Sequence, residues 1–497
     1  MSDTLKILLV AAEAVPFAKV GGLGDVVGAL PPALQELGAE ARLCLPSYQL
    51  IDNEKFNIQR SQTVPVFTVP MGPRTAEVTL YQGASPQNDQ VKVYLIGNNY
   101  YFGRDGIYDD PRSRSGYWDN GERYAFFMKA VLPALKALNW KPDIIHCHDH
   151  QTALVPAFLR SHYWNDPFFQ NTATIFTIHN LAYQGIYDSE ILSVLGFDPG
   201  VFYPTSPYEF YGKVNFMKLG IYFADLITTV SARYAQEIQT TYEFGMGLEG
   251  ILRARSQDLY GILNGVDYSV WNPETDRLIA RHYSAQDLAG KRDNKLALLK
   301  EARLSLAEEQ PLIGIVSRLV NQKGFDLIAE KIEAILALGV KLVVLGSGQS
   351  NYHDLFSRMA QIFPKQMSVF FTHDDRLAHM IEAGSDMFLM PSRYEPCGLN
   401  QMYSLRYGTI PIVRSTGGLA DTVTEYNPNS DNGNGFCFYD YNAHDLYEAV
   451  RRAVQLFHAD KAAWTRLMRR AMAEDYSWVL SAKKYIEVYE KARSRRR

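Results

Sequence analysis

Eight short runs of the chain are apolar on both faces, at residues 7–10, 144–145, 174–178, 226–230, 312–316, 342–345, 387–390 and 410–413, and longer stretches of helical spacing separate them. A strand with apolar side chains on both faces is stable only when helices cover both, so the pattern predicts an α/β protein built on parallel sheets. It runs twice, once on each side of residues 264–276, where Asn264-Gly265 and Asn272-Pro273 punctuate the chain. A length of 497 residues also exceeds what one core supports. We therefore expect two doubly wound domains, residues 1–262 and 263–477, and a terminal helix over 478–497 with Trp478, Tyr485 and Tyr489 at helical spacing. Doubly wound sheets hold ligands beyond the carboxyl ends of their strands. Two such domains facing each other would enclose a cleft on which strand-end motifs converge.

Composition narrows the class. Hydrophobic residues make up 47% and charged residues 21%, the balance of a globular enzyme rather than a disordered chain. A formal net charge of -4 gives no reason to expect a nucleic-acid partner. The one basic cluster, Arg493, Arg495, Arg496 and Arg497, reads as a frayed tail. Cys44, Cys147, Cys397 and Cys437 lack CxxC spacing, which argues against a zinc site or a disulfide framework and suits a reducing compartment. The apolar run at 7–12 is too short to span a membrane and meets Glu13 before a signal core is complete, so a cytoplasmic protein without a membrane partner is expected. Residues 85–90 read as a surface turn.

The chemistry-bearing motifs sit where apolar runs end. Lys19-Val20-Gly21-Gly22-Leu23-Gly24-Asp25 opens a helix, where backbone N–H groups, the helix dipole and the Lys19 charge suit a phosphate. A dinucleotide fingerprint is the rival, but Val27 stands at its third glycine; a plain tight turn is the other reading. His146-Cys147-His148-Asp149-His150 suits metal ligation, the polar lining of a sugar cleft, or simply histidines satisfied at a strand end. Strand alternation puts His146 and His148 on one face. His179-Asn180 closes the next apolar run with groups suited to sugar hydroxyls or to nearby backbone. In the second half, Arg318 and Lys323 follow a strand and would face a pyrophosphate, or else lie solvated. Glu395-Pro396-Cys397-Gly398-Leu399 and Ser415-Thr416-Gly417-Gly418-Leu419 join a carboxylate to two Gly-rich turns, suited to sugar and phosphate together, or forming two ordinary loops.

These segments, with residues 143–149, His179-Asn180-Leu181-Ala182-Tyr183-Gln184-Gly185, Gly212-Lys213-Val214-Asn215-Phe216-Met217-Lys218 and Asn264-Gly265-Val266-Asp267, agree in order and spacing with one family over nearly the whole chain. The chain resembles bacterial glycogen synthases and plant starch synthases, retaining glucosyltransferases with two facing Rossmann-like domains of the GT-B type. The resemblance implies transfer of glucose from ADP-glucose to the 4-hydroxyl at the non-reducing end of an α-1,4-glucan, without metal or cofactor. It also implies that Lys19, Arg318 and Lys323 stabilise the departing diphosphate, that N–H groups around Gly417 and Gly418 hold its phosphates, and that Glu395 and His179 bind the donor glucose. Gly22, Asp25, Asp149, Asn180, Asn264, His373, Cys397, Gly398, Leu399 and Thr416 complete the implied ligand contacts.

Three positions depart from the relatives. Val20 replaces a common threonine, His373 stands where a tyrosine often lies near the adenine, and Tyr403 takes the place of the second glutamate of broader relatives, as a tyrosine does in the glycogen synthase group. In relatives the terminal helix crosses back onto the first domain, and closure of the two domains around substrate is then expected as a gating step. Two other functions fit parts of the sequence: a metal-dependent hydrolase built on His146, His148, Asp149 and His150, and a glucan binder without turnover. The residues alone leave ADP-glucose against UDP-glucose, and the oligomeric state, open.

Overall fold

The computed structural model describes residues 4–113 and 115–496. The chain forms two compact units. One comprises the chain through Val230, Ala235–Gly265 and the segment from Trp478; the other comprises Ser231–Tyr234 and Val266–Ser477.

In the first unit seven strands run parallel in the spatial order Leu259–Gly261, Leu226–Thr229, Ala173–Ile178, Ile144–His148, Lys6–Val10, Glu40–Pro46, Asn88–Gly97. Every residue of Ala173–Ile178 and of Ile144–His148 is buried, as a strand covered on both faces requires. Arg74–Ser85 then adds an antiparallel strand, which the sequence analysis did not pick out. Within it Val78 and Leu80 are buried while their neighbours are not, the alternation of a sheet with one wet face. The turn expected at 85–90 is narrower: Ser85 pairs with Asn88, so the connection is Pro86-Gln87.

The second unit is a six-stranded parallel sheet in the order Met367–Phe370, Lys341–Leu345, Leu312–Val316, Met387–Met390, Ile410–Arg414, Phe436–Phe438. Its core packs Ile313, Ile315, Leu342 and Val344 against Ile328, Phe356 and Leu446 from the covering helices.

Both sheets start at an inner strand and wind outward in both directions, so each has a switch point where the winding reverses. In the first unit it lies between Lys6–Val10 and Ile144–His148, and the chain leaving those strands carries Lys19 and Asp149. In the second it lies between Leu312–Val316 and Met387–Met390, and the departing loops carry Arg318, Lys323 and Glu395.

The basic C-terminus is not frayed. Helix Trp478–Ser494 buries Trp478, Tyr485, Tyr489 and Arg493. Arg493 pairs with Glu490 at 2.5 Å, Arg495 with Asp258 at 2.7 Å, and Nε of Arg496 donates to Asp225 at 2.8 Å. Buried Asp225 and part-buried Asp258 are what the tail's charge meets; Arg497 lies outside the described residues. The four cysteines are buried and none is in a disulfide. Among the described residues no helix is long and apolar enough to cross a membrane.

Candidate active site

At the switch point of the first unit the loop before helix Gly22–Glu36 is organised by a residue that sequence reasoning passed over. Glu13, buried at 3% exposure, accepts the N–H groups of Val20 at 2.5 Å and Gly21 at 2.8 Å, and the Tyr108 hydroxyl at 2.6 Å. These two N–H groups are therefore held by a carboxylate of the protein, which leaves the N–H groups at the start of the helix, from Gly22 on, as those the loop offers to a phosphate. The loop presents the Lys19 ammonium instead, 2.7 Å from Asp25, with both side chains partly exposed. Its glycines divide by role. A Cβ on Gly28 would lie 2.4 Å from Val15 Cγ2, so that glycine serves helix packing, whereas a Cβ on Gly22 meets nothing within 4 Å. Protein packing does not demand glycine at 22, and the space beside it is open to a ligand.

Asp149 follows the neighbouring strand with φ at +56°, in the left-handed region that L-residues other than Asn and Asp rarely visit. Its buried carboxylate accepts the backbone N–H of His179 at 2.7 Å, tying the ends of two adjacent strands together. Burial pushes this carboxyl up to about 7 even though the N–H groups of His179 and Asn180 pull it down.

The histidines do not gather around a common point. His146 uses both ring nitrogens within the fold, Nδ1 on the Tyr489 hydroxyl at 2.8 Å and Nε2 on the Thr177 hydroxyl at 2.6 Å. His150 Nδ1 bonds the Tyr183 carbonyl at 2.9 Å. Among the described residues no group of three or more His, Cys, Asp or Glu is arranged to hold a metal. His148 Nδ1 and His179 Nε2 share a hydrogen bond of 2.9 Å, and burial holds His179 at about 3 and His148 well below the ordinary imidazole value, so both rings are neutral. Asn180 accepts the Ala182 N–H at 3.0 Å, which orders the turn. Asn264 is buried, and its Oδ1 has no hydrogen-bond partner among the described residues, the state of an acceptor kept for a ligand. The cations of the 212–218 segment serve the fold: Lys213 pairs with Asp188, and Lys218 Nζ donates to the Ser206 carbonyl at 2.9 Å.

In the second unit Lys323 Nζ lies 2.6 Å from Glu395 Oε2, which also accepts the Ser392 hydroxyl at 2.9 Å. Gly324 holds φ at +76°, and a Cβ there would lie 2.1 Å from the Pro391 carbonyl, so only glycine lets the two switch-point loops approach. Arg318 is exposed, and its guanidinium has no hydrogen bond or ion pair among the described residues. The Gly417-Gly418 pair also serves loop packing. Gly417 sits at φ +46° with its missing Cβ 1.9 Å from the Glu395 carbonyl, and a Cβ on Gly418 would lie 2.0 Å from the Cys397 carbonyl. The Gly418 N–H donates to that Glu395 carbonyl at 3.0 Å. Thr416, buried at 1% exposure, precedes the short helix Gly417–Thr422. Gln401 donates to the carbonyls of Cys397 and Gly398, each at 3.0 Å, and holds the turn that continues into half-buried Leu399.

The His373 side chain is 95% exposed and its ring meets Asp375 at 3.6 Å. A stacked pair nearby in sequence, His353 on Phe371 at 4.2 Å and 18°, was missed, as was a larger assembly. Trp271 lies flat between His379, at 3.8 Å and 11°, and Tyr403, at 4.0 Å and 5°. Buried Asp276 accepts His379 Nδ1–H at 2.7 Å and the Tyr407 hydroxyl at 2.6 Å. Tyr403 thus braces the helix Asn400–Arg406 that follows the Glu395 loop. No local period could reveal this, because the partners are more than a hundred residues apart in the chain.

Known proteins share this design. Residues 6–254 match the family model described as starch synthase catalytic domain, and residues 299–462 match glycosyl transferases group 1. The chain is 47% identical to a glycogen synthase of Thermosipho africanus, covering 99% of this chain and 100% of that one. It is 48% identical to one of Koribacter versatilis, covering 98% of each. Among solved structures, the catalytic domain of starch synthase IV from Arabidopsis thaliana bound to ADP and acarbose superimposes with a TM-score of 0.89 at 35% identity, over 99% of this chain and 100% of that one.

Proposed function

The chain belongs to the glycogen synthase and starch synthase family of glycosyltransferases, and we propose that it moves glucose from ADP-glucose to the 4-hydroxyl at the non-reducing end of an α-1,4-glucan, with retained configuration. The bond from sugar C1 to the diphosphate oxygen breaks, and a bond from C1 to the acceptor oxygen forms. Negative charge collects on the leaving diphosphate, which takes up the proton that the acceptor hydroxyl gives up. The observation that carries the assignment of roles is the Lys323–Glu395 pair at the switch point of the second unit, 2.6 Å apart, with the exposed Arg318 guanidinium on the same loop as Lys323.

On the second unit Lys323 and Arg318 meet the charge on the leaving group, and Lys19 is the cation that the first unit offers to a phosphate. Preorganised charge of this kind is the largest single term in such steps, because it needs no reorganisation as the bond breaks. Glu395 holds Lys323 in place, and its carboxylate accepts hydroxyls of the donor glucose; on the first unit the polar atoms of His179 and Asn180 suit sugar hydroxyls. Gly22 gives the donor room at the first unit, Asn264 offers its open acceptor, and Asp25 and Asp149 order Lys19 and His179. On the second unit the turn of Cys397, Gly398 and Leu399 and the Thr416-Gly417 step line the donor, with His373 free to swing toward the base. We place the enzyme in the cytoplasm, where its four thiols stay reduced.

Incubation with ADP-glucose and a short maltooligosaccharide tests the reading. The acceptor should lengthen by single glucose units through linkages that an α-1,4-specific exo-hydrolase removes. An acceptor that stays at its original length would sink the proposal.

A further inference from the structure

His146 and His148 lie two residues apart on one strand, hence on one face, yet their bonding differs. Both nitrogens of His146 are satisfied within the fold. His148 is equally buried, at 0% exposure, but only its Nδ1 is bonded, to His179 Nε2; its own Nε2 has no hydrogen-bond partner among the described residues. Packing alone does not account for an imidazole here, because an apolar side chain would fill the space without stranding a polar nitrogen. The single side-chain hydrogen bond of His148 goes to a residue of the site.

The consequence falls on His179. Its Nε2 is taken by His148 and its backbone N–H by Asp149, which leaves Nδ1 as the ring nitrogen open to a ligand. Two neutral imidazoles share one N–H···N bond, so whichever ring carries the shared proton dictates the tautomer of the other. Behind His148 the His146 ring packs at 4.0 Å between centroids and is itself pinned by Tyr489 of the terminal helix. We propose that His148 is a positioning residue for glucosyl transfer: it fixes the ring plane and the tautomer of His179, so that Nδ1 alone meets the donor glucose. The inference rests on the donor-binding role given to His179 above.

The test uses the full-length enzyme with ADP-glucose and glycogen. His148→Asn places an amide that bonds His179 in either tautomer, whereas His148→Leu fills the space with no polar atom. We expect the Leu variant to lose about 100-fold in kcat/KM, the scale of a misplacement of about an ångström at a reacting centre. The Asn variant, which keeps the hydrogen bond and the ring plane but does not select the tautomer, should fall between wild type and the Leu variant. Equal losses in the two variants, or wild-type kcat/KM in a folded Leu variant, would overturn the proposal. His179→Ala separates the levels. Full activity in that variant removes His179 from the site and the proposal with it, whereas an impaired His179→Ala beside an unimpaired His148→Leu removes only the positioning role. If His148→Leu does not fold, 15N-histidine spectra of the wild type decide: a single His179 tautomer, unchanged down to about pH 5, supports the proposal. A mixed population, or a ring titrating near its ordinary value, overturns it.

Discussion

Lys323 and Glu395 show how one contact serves both binding and turnover. The carboxylate is buried and bonded to Ser392, so the ammonium is held at a fixed place before any substrate arrives. Lys323→Ala should lower kcat by roughly 100- to 1000-fold, as loss of one preorganised donor does elsewhere. Steady-state kinetics at saturating ADP-glucose would read that change, and a loss of less than about threefold would contradict the role. The buried titratable residues of the first unit set a second expectation. His146 and His179 are held at about 3 and His150 at about 4, below their ordinary 6.5, so the unfolded chain binds more protons than the folded one between those values. The stability they lend is full above about pH 6.5 and is lost as the pH falls toward the folded values. Asp149 runs the other way: its carboxyl is raised from 3.8 to about 7, so its contribution is full below about pH 4 and is lost as the pH rises through 7. The histidines outnumber it. The melting temperature should therefore drop between pH 7.5 and pH 5, and Asp149→Asn should steepen that drop; a flat profile from scanning calorimetry would contradict these burials.

At the scale of loops and elements, the glycines separate fold from function. Gly417 is forced by its left-handed backbone and by the Glu395 carbonyl 1.9 Å from where a Cβ would stand. Gly417→Ala should cost at least about 2 kcal/mol and should also displace Glu395, so stability and activity fall together. Gly22 has neither constraint, since it keeps an ordinary φ and nothing lies within 4 Å of its Cβ position. Gly22→Ala should leave the melting temperature unchanged or slightly raised, because alanine is favoured over glycine in a helix by about 1 kcal/mol. Its KM for ADP-glucose should rise if the donor occupies that open space. Thermal melts and donor titrations of the two variants side by side check both statements. The Trp271 stack has a similar bracing role, holding the helix that carries Tyr403 in the position where a second glutamate stands in broader relatives.

Over the whole molecule, the docked C-terminus makes the final residues part of the first unit. Arg495 and Arg496 meet Asp258 and the buried Asp225, which Arg160 also contacts at 2.5 Å. The double variant Arg495→Ala/Arg496→Ala should lose roughly 1–2 kcal/mol of stability, more than two fully exposed pairs would, with KM for ADP-glucose unchanged. Denaturant unfolding beside kinetics would show the split. Much of this architecture was legible in the sequence, because parallel strands buried on both faces leave apolar runs and the functional loops follow those runs directly. The wet-faced antiparallel strand Arg74–Ser85 left no such run. Glu13 was invisible because its role depends on N–H groups that a turn brings to it, and the glycine pair read as a phosphate cradle with no sign that its geometry also answers to the backbone of another loop. The basic tail read as frayed because the acids that Arg495 and Arg496 meet lie more than 230 residues earlier in the chain.

The most direct test of the central claim is nucleotide release from ADP-glucose and from UDP-glucose, with and without glycogen, in the presence of a chelator, for wild type and Lys323→Ala. The account predicts ADP release that depends on glycogen, survives chelation and collapses in the variant. Absence of glycogen-dependent release from either donor, or release abolished by the chelator, would contradict it.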